Sequence, residues 1–399
     1  MAERLFANVH PELLIWARET SGLSLEKAAK KLGMRPERLA QIEAGQLKPT
    51  VRQLREAARV YKRPLAAFFL RSAPPAPPSV HDFRRAAGEQ IEEPSPALLL
   101  ELRRARRRRA VALELLSELE QQALRFDLWT DMSEPPEEVA ARARAWLGVT
   151  SEQQASWTGE YDGLNGWIAA LEARGILVFQ TGDVGLSEMR GFSLADQVLP
   201  AVVLNGKDRP KARIFTLMHE FTHLMLNMAG VCDPLRSSWR TNSPDARVET
   251  YCNRVAGAVL VPRAELTRLD DVRSVGAPIE WNDAQIRSMA DRFAVSREVV
   301  LLRLRALDLA SQDFVSSKFA EYRREYAAKA SQPQSGTGFP PVYRLAVRDN
   351  GKRFTRLVLE ALERDRITLA DVTDYLGVRL KHLERIADAV RATNVEEPV

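Results

Sequence analysis

The segment Pro210-Lys-Ala-Arg-Ile-Phe-Thr-Leu-Met-His219-Glu220-Phe-Thr-His223-Leu-Met-Leu-Asn227 decides how the centre of this chain is built. It reads as a helix that Gly230 stops. Most of its side chains are apolar: Ile214, Phe215, Leu217, Met218, Phe221, Leu224, Met225 and Leu226. A helix that is apolar on nearly every side belongs inside a core. His219, Glu220 and His223 interrupt it, and buried polar groups must find partners. Residues four apart leave a helix about 40° from one another, so both imidazoles reach a single ion. Zinc takes neutral nitrogen and anionic oxygen ligands in a tetrahedral shell. Glu220, one residue after the first histidine, is placed to act as general base at the position left open. The chain holds only five histidines, so this spacing seldom arises by accident.

A third ligand is expected on a neighbouring helix. Residues Arg247 to Leu260 have a helical pattern that ends at Val261-Pro262. Glu249 and Asn253 lie four apart on it. Glu249 is a candidate ligand, and Asn253 a candidate brace that orients one of the histidines by hydrogen bonding. Asp245 and Cys252 are rival ligands, one turn earlier and about 60° round the helix. Tyr251 projects away from the face of Glu249, and no group that would stabilise an oxyanion is legible.

Upstream, the texture changes. Ile176-Leu-Val-Phe-Gln-Thr181, Arg190-Gly-Phe-Ser-Leu194 and Pro200-Ala-Val-Val-Leu-Asn205 are short, β-rich and bounded by Gly, Asp or Asn. Helical patterns lie on either side. The expected fold class is therefore α+β: an all-α N-terminal part, a central part with a small sheet and the His219 helix, and all-α hairpins at the C-terminus.

Residues 10–70 read as short helices. Ser24 is placed to cap Leu25–Leu32, which ends at Gly33, and Pro36 opens the next helix, which ends near Gly45. Helix, tight turn, helix is the plan of a helix-turn-helix. The net charge of the chain is +5, yet residues 1–71 carry fourteen Lys/Arg against seven Asp/Glu. That surplus favours contact with a nucleic-acid backbone. The pattern recurs: Leu23–Ile42 aligns with Ile367–Ile386, with a weaker copy at Ile286–Val300. In the C-terminal copy Arg379, Lys381 and Arg385 face Asp371, Asp374, Glu384 and Asp388, which favours contact with protein over DNA.

Residues 97–124 form a long helical pattern with Arg103, Arg104 and Arg106 to Arg109 around it. Such a run is a salt-bridged surface or a second phosphate or partner contact. Ser72–Ser79 and Gln332–Pro341 are rich in proline and other loop residues and read as links. The expected division is 1–72, 73–138, 139–331 and 332–399. No apolar run reaches the roughly 18–20 residues of a membrane span. The start of the chain lacks the pattern of a secretory signal, and the two cysteines, Cys232 and Cys252, are too few for a disulfide scaffold. The expected location is cytoplasmic.

Two resemblances add to this reading. Phe215-Thr-Leu-Met-His-Glu-Phe-Thr-His-Leu-Met-Leu226, followed by Glu249-Thr-Tyr-Cys-Asn-Arg-Val-Ala-Gly-Ala-Val-Leu-Val-Pro262, resembles the ImmA/IrrE metallopeptidase family. The usual family pattern is FTLAHELGH, then E-x-x-A-N-x-F-A-x-x-L-L-x-P. The resemblance covers about residues 139–310, including Ala145-Trp-Leu-Gly148. It implies a zinc site of the gluzincin type, with His219, His223 and Glu249 as ligands and Glu220 as base. Phe221-Thr222 stands where Leu-Gly is common, Cys252 where Ala is and Val255 where Phe is. These are packing positions.

Residues 10–70, with Ile42-Glu-Ala-Gly45 and Pro49-Thr50, resemble the XRE helix-turn-helix family. Arg63-Pro-Leu-Ala-Ala-Phe-Phe-Leu70, the proline-rich link and Asp82-Phe-Arg84 are similar to fusions of the two families. The resemblance implies DNA contact through Arg35, Arg38, Gln41 and Lys48. Leu25 replaces a glutamine common in that family, and Glu37 would repel phosphate.

The function expected is a DNA-associated regulator with zinc endopeptidase activity toward a protein partner, such as a transcriptional repressor. The alternative is a DNA-binding regulator or antitoxin-like repressor whose metal site is structural or sensory. A homodimer is compatible with either.

Overall fold

The computed structural model describes residues 5–74, 81–82, 94–228, 230–232, 244–330 and 340–392; for 81–82, 230–232 and 327–330 it describes the backbone alone. Most of the proline-rich link, Phe83-Arg84 and most of Gln332–Pro341 lie outside the described residues. The chain falls into two compact units, Met1–Ser79 with Gln90–Arg104, and Val80–Glu89 with Ala105–Val399.

The first unit is helical: α1 (Pro11–Glu19), α2 (Leu25–Leu32), α3 (Pro36–Glu43), α4 (Val51–Val60) and the start of α5 (Pro96–Glu118). The Ser24 hydroxyl caps α2 by accepting from Lys27 N, and Gly33 ends it at φ +64. A left-handed backbone at that point costs glycine little and other residues more. Pro36 then starts α3. Leu14, Ala17, Ala28, Ala29, Leu39, Ile42 and Leu54 form the core. Arg18 Nε donates to the buried Glu43 carboxylate at 2.8 Å, tying α1 to α3.

The second unit continues with α6 (Pro136–Leu147), α7 (Ser151–Ser156), α8 (Glu160–Ala173), α9 (Pro210–Met225) and α10 (Pro244–Leu260). Then come α11 (Arg263–Leu266), α12 (Asp270–Arg273), α13 (Asp283–Arg292), α14 (Arg297–Ala306), α15 (Gln312–Ala330), α16 (Val342–Asn350), α17 (Lys352–Glu363), α18 (Leu369–Leu376) and α19 (Leu383–Arg391). Its strands are β1 (His81–Asp82), β2 (Leu177–Thr181), β3 (Gly191–Leu194), β4 (Ala201–Asn205) and β5 (Gly230–Cys232). They form one sheet in the order β1-β5-β3-β4-β2. β2 and β4 are parallel, whereas β3 runs antiparallel to both β4 and β5. The three longer strands are buried at every position, as a sheet covered by helices on its faces should be. The fold class is α+β, as the sequence suggested.

Two helix ends differ from expectation. α5 stops at Glu118, not near residue 124, because Glu120 turns into the left-handed region at φ +57 and Gln121 N bonds back to Leu116 O. α9 stops at Met225, before Gly230, which instead begins β5. The stop is Asn227, at φ +55. Asn227 N donates to Leu224 O and Met228 N to His223 O, the paired bonds of a Schellman end.

The arginines of α5 are spread over partners within the chain. Arg104 pairs with Glu101, Arg107 with Asp374 and Arg109 with Asp196 and the carbonyls of Val198 and Leu199, while Arg108 lies over the Phe179 ring. The repeated hairpin is present in all three places. Gly33, Ala294 and Gly377 take the same left-handed turn, at φ +64, +52 and +66.

Candidate metal centre

α9 lies against β3, β4, α8 and α10, so nearly every residue along it is buried. His219 and His223 leave it one turn apart, and Glu249 leaves α10 toward them. All three side chains are fully buried. One ligand atom from each lies within 4.8 Å of the others, and no other such group of three occurs among the described residues. His223 Nε2 is 3.1 Å from both His219 Nε2 and Glu249 Oε1, and His219 Nε2 is 3.3 Å from Glu249 Oε2.

The tautomer of His219 follows from its other nitrogen. Nδ1 lies 2.9 Å from Asn253 Oδ1. A carboxamide oxygen only accepts, so Nδ1 carries the hydrogen and Nε2 turns a lone pair toward Glu249 and His223. Burial works against charge on His219, but the Glu249 carboxylate, with Glu220 and Asn253 adding to it, raises the affinity of the ring for a proton. Burial pushes Glu249 up as well, and the two imidazoles outweigh it, holding the carboxyl far below its ordinary range. The cluster therefore draws positive charge into an apolar core. Two imidazoles and one carboxylate are a donor set that suits zinc, and the residues present fit that ion.

Glu220 is also fully buried and lies against β3. A Cβ placed on Gly191 would stand 3.2 Å from Glu220 Oε1 and 2.6 Å from Thr216 Cγ2. The bare backbone of Gly191 thus lets β3 close onto α9 beside the carboxylate. Of the rival ligands, Cys252 is buried in a small apolar group with Val248, and burial raises its thiol well above the ordinary value. Neither Cys252 nor Asp245 belongs to the three-donor group.

The chain joins an XRE-type helix-turn-helix to an IrrE-like peptidase-family domain. Residues 171–305 match the peptidase family model described as IrrE N-terminal-like domain, and residues 14–68 match the model described as Helix-turn-helix. No curated protein matches the chain at a significant level. The departures from the IrrE-like pattern are accommodated locally. Phe221 stacks on Trp146 at 5.9 Å, and the buried Thr222 hydroxyl donates to Met218 O at 2.9 Å.

In the helix-turn-helix, Arg35, Arg38, Gln41 and Lys48 are all exposed, as is Glu37. Arg35 precedes the first turn of α3, Arg38 and Gln41 follow at helical spacing, and Lys48 lies in the loop before α4. Leu39, Ile42 and Glu43 take the opposite, buried side.

Sequence reading missed what holds α10 in place. Arg144 Nη1 donates to Val259 O at 2.8 Å, Gln154 Nε2 to Leu260 O at 2.8 Å and Arg303 Nε to Val261 O at 2.7 Å. Three successive carbonyls at the end of the helix thus receive buried side-chain donors. The only trace in the sequence is Arg144 set among Val139, Ala140, Ala143 and Leu147 on the apolar side of α6.

Proposed function

We propose that this chain is a DNA-associated regulator with a zinc endopeptidase centre. His219, His223 and Glu249 would hold the zinc, and Asn253 would fix the ring of His219. Zinc, when bound, would supply Lewis-acid polarisation of the scissile carbonyl and acidify the attacking water. The Glu220 carboxylate would accept a proton from the attacking water and pass it to the departing amine. The apolar walls of α9 and α10 limit bulk water around the donors, which strengthens each electrostatic interaction there.

The observation that carries this reading is the convergence of three buried donors beside a second buried acid, Glu220. A purely structural zinc site has no use for that acid. The substrate is proposed to be a protein, such as a transcriptional repressor. DNA contact is assigned to Arg35, Arg38, Gln41 and Lys48. The working division is 1–72 for DNA, 73–138 as link and basic helix, 139–331 for the peptidase and 332–399 as a helical contact domain.

The test is to incubate the full chain and its Glu220→Gln variant with cell lysate and zinc, then compare the new protein N-termini. New termini with the wild type alone support the peptidase. Identical sets, together with operator binding that depends on Arg35 and Arg38, would favour a regulator with a sensory metal site. The exposed Arg35 at the N-cap of α3 and Arg38 on that helix are the observation that recommends that second reading.

A further inference from the structure

The metal donors come from two helices that are far apart in sequence. His223 on α9 and Glu249 on α10 are separated by 26 positions. Apolar packing is non-directional and leaves two helices some freedom to slide along one another. Zinc does not tolerate such a slide, because its bonds to nitrogen and oxygen are about 2.0–2.2 Å long. The His219–Asn253 hydrogen bond is one directional tie that sets the axial register of α9 against α10, at the level of the donors, and a second tie engages both helices at other residues.

Residues 130–134 supply it from outside the cluster. Thr130 N donates to Met225 O at 3.0 Å, on the last turn of α9 and two residues after His223. Tyr251, two residues after Glu249 on α10, points its phenol into the same segment. Its hydroxyl lies 3.0 Å from Asp131 O and 3.1 Å from Glu134 O, with Thr130 Oγ1 at 3.3 Å. The segment is itself anchored, since Arg142 of α6 pairs with Glu134 at 2.7 Å and donates to Trp129 O at 3.0 Å. One short strap therefore fastens to both ligand-bearing helices, each time within two residues of a donor.

We infer that the 130–134 strap is a positioning device for the metal centre and that Tyr251 is a positioning residue acting through Glu249. This rests on the zinc-site reading above. The oxyanion role that its nearness in sequence suggests is not available to this phenol, which is turned toward the strap.

The test uses the full chain stripped of metal by chelation. Zinc affinity is measured by competition with a chromophoric chelator, and the melting temperature of the metal-free protein is measured alongside. Tyr251→Phe keeps the ring and loses the hydroxyl. The expected result is zinc binding weakened about tenfold, in the range seen for outer partners of metal ligands, with metal-free melting within a few degrees of wild type. Thr130→Ala, which removes the 3.3 Å contact with the Tyr251 hydroxyl and the 2.9 Å bond from Thr130 Oγ1 to Glu134 Oε1 inside the strap, should weaken zinc about threefold and serves as the second variant if Tyr251→Phe folds poorly. Unchanged zinc affinity in a folded variant would overturn the inference. Failure of the wild type to bind zinc would instead overturn the zinc-site reading itself.

Discussion

His219 Nδ1 meets Asn253 Oδ1 at 2.9 Å, a bond that crosses from α9 to α10 beside the donor cluster. It fixes which nitrogen of His219 faces Glu249. Asn253→Ala should leave the fold intact and weaken zinc binding about 10–100-fold. Asn253→Asp should keep the bond and lose far less affinity. Titration of both variants with zinc checks this.

Gly351 stands between α16 and α17 at φ +74, ψ 150, a region open almost only to glycine. A Cβ there would lie 2.3 Å from Val178 O of β2 and 3.0 Å from Glu172 Oε1. Gly351→Ala should therefore loosen the C-terminal helices from β2 at a cost of about 2–4 kcal/mol. Faster limited proteolysis after residue 340, with a lower melting temperature, is the expected outcome.

Glu172 is buried beside that glycine and accepts from Arg353 N at 3.2 Å. Burial raises its carboxyl to about 7, against the partial opposition of the Arg353 amide and the nearby Lys352, Arg353 and Arg356. The folded state thus holds this proton more tightly than the unfolded state does. The stabilisation is complete below about pH 4.5 and is lost as pH rises through about 7. A shift of this size corresponds to about 3 kcal/mol. Glu172→Gln, an uncharged equivalent, should flatten stability between pH 5 and 8 and gain most over wild type at the alkaline end. Denaturation with urea across that range measures it.

For the helix-turn-helix, replacing Arg35 and Arg38 with alanine should weaken binding to duplex DNA. The slope of log affinity against log salt should fall by about one for each phosphate that the variant no longer neutralises. An unchanged slope would mean that these arginines do not face phosphate. Fluorescence anisotropy at several salt concentrations supplies the numbers.

Local chemistry made much of this molecule legible. The three longer strands, the Ser24 cap, the Gly33 and Gly377 turns and the His219 helix are all written in short-range pattern, because burial and backbone preference act within a few residues. The place of Glu249 was open on spacing alone, since Asp245 and Cys252 sat on the same helix. Its convergence with the histidines depends on how α10 packs against α9. The carbonyl donors Arg144, Gln154 and Arg303, and the strap that receives Tyr251, were not legible. Each is a hydrogen bond between positions many tens of residues apart, and no periodicity announces it. The stop at Asn227 was missed because Gly230 is the stronger signal for a helix end, while asparagine enters the left-handed region less often.

In the reading proposed above, α9 and α10 together form one zinc centre. Titration of the chelator-stripped full chain with zinc tests it most directly. One equivalent per chain is expected, with a dissociation constant below about 0.1 µM, weakened about a hundredfold or more in His223→Ala and in Glu249→Ala, both still folded without metal. Absence of saturable binding, or variants that bind as the wild type does, would contradict it.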